Sequence, residues 1–96
     1  MAWTNVKIAN VSTSTTAVAY PSRLRAIYIF NAAAAASVRT VTVKDGGTTG
    51  AILFQVDVPA ATAITMDHFS DAGIRAAIGI WFDPSGTSVN AALFYD

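Results

Sequence analysis

Residues 40–58 read TVTVKDGGTTGAILFQVDV, and the period of this stretch decides the fold. Val41 and Val43 alternate with Thr40, Thr42 and Lys44. Ile52, Phe54, Val56 and Val58 alternate with Leu53, Gln55 and Asp57. A period of two belongs to strands, because successive side chains leave a pleated backbone on opposite faces. Between the two runs lies Asp45-Gly46-Gly47, in which the glycines can take positive φ without a Cβ clash. The stretch predicts two antiparallel strands joined by a turn, each with one buried face.

The same period runs outward in both directions. Upstream, Leu24, Ala26, Tyr28 and Phe30 alternate with Arg23, Arg25, Ile27 and Ile29, a run apolar on both sides near its centre. Weaker runs lie at residues 5–9 and 15–20. Downstream, Ile64 and Met66 alternate with Thr65 and Asp67. Ile74, Ala76, Ile78, Ile80 and Phe82 form one expected face, opposite Arg75, Ala77, Gly79 and Trp81. Val89, Ala91, Leu93 and Tyr95 make a last run. Asp83-Pro84-Ser85-Gly86 has turn chemistry, with Gly86 expected to take the left-handed position. Pro21 and Pro59 fall at run boundaries, where a missing N–H disturbs no ladder. About eight short strands separated by turns predict one all-β domain over residues 1–96, an antiparallel sandwich. Ala32–Ala36 is too short to nucleate a helix alone. It is read as a tight connection with at most one helical turn.

Composition narrows the function classes. Of 96 residues, 53% are hydrophobic and only 12% charged, which excludes a disordered chain. Nineteen residues are alanine and none is cysteine, so disulfides and thiolate chemistry are absent. The longest apolar run, residues 76–82, falls well short of the roughly 20 residues of a spanning helix. Residues 1–5 suggest no secretory signal. The net charge of zero hides a division: residues 1–44 hold five basic residues and no acid, residues 45–96 six aspartates and Arg75. Such a division fits a polyanion contact, complementary faces between copies, or strands of the two halves that pair and intermix their charges.

Catalytic and metal chemistry find little support. His68, the single histidine, sits in Asp67-His68-Phe69-Ser70-Asp71. Consecutive residues cannot converge as a serine triad does. One histidine and scattered aspartates do not supply a zinc ligand set, and Asp67, Asp71 and Asp83 lack the spacing of a calcium loop. There is no glutamate for a carboxylate pair. Gly46-Gly47-Thr48-Thr49-Gly50 lacks the lysine of a phosphate-binding loop. Asn10-Val11-Ser12 matches a glycosylation sequon by chance. The expectation is a protein that is not an enzyme and needs no cofactor or metal. Arg23 and Arg25, near Tyr20 and Tyr28, form the best cation–π or nucleic-acid candidate, although charges guarding an edge strand explain them more simply. Trp3 and Trp81 read either as exposed interface anchors or as a small cluster within one chain.

Several of these elements together resemble small virion proteins of tailed bacteriophages. The resemblance is carried by Pro21-Ser22-Arg23-Leu24-x-x-Ile27, Val41-Thr42-Val43-Lys44-Asp45-Gly46 and Gly50. It continues through Pro59, Asp67, Phe69, Gly73-Ile74, Gly86-Thr87 and Leu93-Phe94-Tyr95-Asp96, and so covers nearly the whole chain. The alanine run and the tryptophans depart from it. The resemblance implies a jelly-roll-like sandwich, made in the host cytoplasm and carried in the virion as a capsid cement or decoration subunit. Its expected partners are the major capsid protein and copies of itself, as a homotrimer, with no nucleic acid, membrane or small-molecule substrate. Candidate interface residues are Trp3, Arg23, Arg25, Trp81 and Tyr95. The alternative is a carbohydrate-binding or host-attachment module of a head fibre or tail, with Trp3 or Trp81 as the sugar platform.

Overall fold

A computed structural model describes residues 6–32, 37–66 and 73–96. The strands are β1 (Lys7–Val11), β2 (Thr15–Val18), β3 (Ser22–Asn31), β4 (Arg39–Asp45), β5 (Ile52–Val58), β6 (Thr62–Met66), β7 (Ile74–Ala76), β8 (Ile80–Pro84) and β9 (Val89–Tyr95). They form two antiparallel sheets. One has the order β1-β9-β3-β6, with β7 also on β3, and the other β2-β8-β4-β5. We call them the first and second sheets.

The pairing follows one rule. β4 pairs with β5, β3 with β6 and β7, β2 with β8, and β1 with β9. The chain is therefore a long antiparallel ribbon, doubled back at residues 46–51 and rolled into a sandwich. This is jelly-roll topology, with β6 and β7 both paired to β3 in the place of a single strand. β6 pairs with Ile27–Asn31 and β7 with Ser22–Leu24, on the side of β3 away from β9. The ribbon also explains the charge division. Its basic arm and its acidic arm lie side by side, so the charges of the two halves intermix within one molecule.

Between the sheets lie Leu24, Ile27, Ile29 and Leu93 from the first and Val41, Val43, Val58, Ile80 and Phe82 from the second, all fully buried. Each such side chain contributes roughly 1.5–3 kcal/mol by leaving water. One buried polar group joins them: Asn31 Nδ2 donates to Val58 O and to Ser37 O, both at 2.9 Å. That side chain ties the end of β3 to the end of β5 and to the chain entering β4.

The structure corrects several expectations, each through an interruption of the simple period. Residues 74–82 do not form one face. Ile74–Ala76 belongs to the first sheet and Ile80–Pro84 to the second, and Ile78 at the corner between them is 65% exposed. Asp45 fixes this corner, its carboxylate accepting hydrogen bonds from the amides of Ala77, Ile78 and Gly79 at 2.9–3.3 Å. Gly46, at φ 90°, donates its own amide to Gly79 O.

In β3 a bulge places Arg25 and Ala26 opposite Phe94, and the inward set passes from Leu24 to Ile27 and Ile29. A second irregularity, between Val43 and Lys44, leaves Ile52 exposed instead of buried. The left-handed residue after β8 is Ser88, at φ 69°, rather than Gly86. Gly86 instead lies under the Arg39 guanidinium, where a Cβ would come within 2.7 Å of Nε. Nor do Arg23 and Arg25 guard an edge, because β3 is paired along both sides.

Candidate functional site

The two sheets present different outer faces. On the second sheet the outward side chains bond to one another across strands. Thr40 Oγ1 donates to Asp57 at 2.7 Å, Gln55 Nε2 to Thr42 Oγ1 at 2.9 Å, and Ser14 Oγ to Asp83 at 2.8 Å. Ser85 Oγ accepts the Thr40 amide at 2.8 Å. The same outer face also carries two large apolar side chains, Trp81 and the 58% exposed Ile52, which flank Lys44 in register.

On the first sheet the outward apolar residues adjoin one another. The inward residues of β1, β9 and β3 are Ala9, Val11, Ala91, Leu93, Ile27 and Ile29, so their neighbours point outward. Register places Ile8 beside Phe94, Asn10 beside Ala92, Ala92 beside Tyr28, and Phe30 beside both Asn90 and Ala63. Ile8 is 57% exposed and Tyr28 41%, with Phe30 and Phe94 half-buried between them. The result is a contiguous apolar face across four strands. At one edge Asn10, Tyr28 and Asn90 line a shallow depression of about 280 Å³. Large exposed apolar patches on small proteins mark contact surfaces.

At the end of the same sheet where β3 begins, the charges are basic. Arg25, turned by the bulge, binds Asp96 through two parallel hydrogen bonds, Nε to Oδ1 at 3.1 Å and Nη2 to Oδ2 at 3.0 Å. The guanidinium holds the Asp96 carboxyl below its ordinary range, reinforced by Arg23 and Lys7. Tyr95 meets Tyr20 edge-on, with ring centroids 6.4 Å apart, and a hydroxyl–hydroxyl hydrogen bond raises its pKa.

The residues expected at an interface are thus divided. Arg23, Arg25 and Tyr95 gather at the basic end of the first sheet. Trp81 lies on the outer face of the second, between Thr16 and Lys44 in register. It is half-buried, and its indole N–H is enclosed without a hydrogen-bond partner among the described residues. Trp3, the alanines at 33–36 and the Asp67–Asp71 segment lie outside the described residues. The suggested cation–π grouping is not assembled: Tyr20 turns to Tyr95, and Arg25 to Asp96. Among the described residues no group of three or more His, Asp or Glu could hold a metal ion.

Ile8, Phe30, Ala63, Ala92 and Phe94 were not singled out as a surface by sequence reading. Each looks like any outward residue of its own strand, and only the strand order makes them neighbours. Comparison with protein-family models, curated proteins and solved structures returns no match.

Proposed function

We propose that the chain is a non-enzymatic structural protein of a tailed-phage particle, a cement or decoration subunit that binds neighbouring capsid proteins and copies of itself as a homotrimer. The observation that supports this reading most is the outer face of the first sheet. The apolar set of Ile8, Phe30, Ala92, Phe94 and Tyr28 suits burial against protein. The low charge adds to this, since little long-range repulsion holds copies apart. Jelly rolls build viral capsids, although they also build lectins, so the fold adds only analogy. In a shell with many copies, modest contacts act together and avidity supplies the holding strength.

Two measurements test the reading. Sedimentation over a wide concentration range should give a trimer, and the purified chain should co-sediment with phage heads that lack it. Tyr28→Glu together with Ile8→Glu should abolish both while leaving the fold intact. A monomer at high concentration that binds no heads would overturn it.

A second reading, sugar binding, is favoured by one feature. Tyr28 stands in its depression with the carboxamides of Asn10 and Asn90, an aromatic ring flanked by paired donors and acceptors. A glycan panel separates the two readings: saturable binding lost in Tyr28→Ala, without self-association, would favour the sugar.

A further inference from the structure

The ribbon brings basic and acidic arms together, and at one position it fails to balance them. Arg75 is the single basic residue of the second half, yet the register of β3 with β7 sets it directly opposite Arg23. Like charges facing each other across a strand pair destabilise it. Both arginines are exposed, and neither makes a side-chain hydrogen bond or ion pair among the described residues.

They share a depression of about 500 Å³ with Lys7, Pro21, Ser22, Ala76 and Asp96. Among the described residues Asp96 is the only acid lining it, and Arg25 already grips that carboxylate with two nitrogens. Lys7 and Arg23 act on the same carboxylate only at longer range, so among the described residues Lys7, Arg23 and Arg75 are three further cations sharing one acid that Arg25 already holds.

We infer that Lys7, Arg23 and Arg75 form a site for a tetrahedral oxyanion, a phosphate or sulfate group carrying about two charges. Charge and geometry select this class over a carboxylate. A carboxylate has one charge and two oxygens, which a single guanidinium satisfies, as Arg25 does for Asp96 a residue away. Three further cations from three strands need an acceptor with more oxygens and more charge. Guanidinium groups supply paired donors to such an anion, and the ammonium group of Lys7 a point charge. The depression exceeds the size of the bare anion and leaves room for whatever carries it. The site is separate from the apolar face, so its failure would leave the assembly reading standing.

The test uses the full chain at low ionic strength in a buffer free of phosphate and sulfate. Inorganic phosphate is titrated at about pH 7.5, where it carries close to two charges. The backbone amide shifts of Ser22, Arg23, Arg75 and Ala76 are followed, with chloride at matched ionic strength and acetate as references. Phosphate should give saturable shifts, and chloride and acetate none that saturate. Arg23→Gln and Arg75→Gln should each weaken binding about ten-fold or more, and Lys7→Gln about three-fold.

Phenyl phosphate separates the sources: tighter binding than phosphate assigns the site to a phosphate group on a larger molecule, equal binding to the free ion. Without phosphate, Arg75→Gln should raise the thermal midpoint by relieving repulsion, and should abolish the further rise that phosphate gives the parent chain. Phosphate shifts no different from those of chloride, saturation indifferent to both arginine variants, or a lowered midpoint in Arg75→Gln would each overturn the inference.

Discussion

Asp45 was legible in the sequence as half of a turn, but its carboxylate serves a second purpose there. Hydrogen bonds from the amides of Ala77, Ile78 and Gly79 stabilise the charged form and hold its pKa below the ordinary 3.8, against a smaller opposing effect of desolvation. The native state thus binds this proton more weakly than the unfolded chain does. The stabilisation is complete above the ordinary pKa and is lost as pH falls through the depressed one. Asp45→Asn should lower the urea midpoint at neutral pH and flatten the loss of stability below about pH 4, as urea melts across the acid range would show. Trp81 makes the opposite case. Its enclosed indole N–H has no partner among the described residues, so Trp81→Phe removes an unpaired donor and keeps most of the ring. Equilibrium unfolding should move by less than about 1 kcal/mol, where a paired donor would cost more.

Among the elements, β3 departs furthest from its sequence pattern. Alternation alone made it apolar on both sides without choosing between them. The bulge chooses, because one extra residue reverses which parity faces the core from Ile27 onward. The same bulge turns Arg25 toward Asp96. Arg25→Ala should cost about 1 kcal/mol and return the Asp96 pKa toward its ordinary value, which carboxyl-carbon NMR titration reads directly. Asn31 lies at the other end of β3. Buried, and donating to carbonyls of two other segments, it acts as a strut between the sheets. Asn31→Ala leaves both carbonyls without that donor and should destabilise the fold by about 3 kcal/mol in urea unfolding, with a core cavity adding to the loss.

At the scale of the whole molecule, the rolled ribbon gives each sheet its own outer surface. Because the apolar face is outward in the isolated chain, placing charge there should not disturb packing between the sheets. Tyr28→Glu is expected to keep the thermal midpoint within a few degrees of the parent while shifting sedimentation toward monomer. Phe82→Ala, by contrast, empties the core and should cost roughly 3–5 kcal/mol whether or not the chain assembles.

The period of two, the glycine turn at 45–47 and the absence of cysteine and glutamate are local properties. The first two settled the all-β class and the doubling point of the ribbon, and the third ruled out disulfides, before any tertiary contact was known. The charge division was equally visible, but not its meaning, since charge along a chain says nothing of which strands pair. Strand order made neighbours of Ile8, Phe94 and Tyr28, residues far apart in the chain, and register set Arg23 against Arg75. Both depend on pairings between distant segments, stabilised by burial of the shared core rather than by any preference of the residues concerned. A face and a charge cluster are properties of adjacency, and in a jelly roll adjacency is decided only when the ribbon rolls.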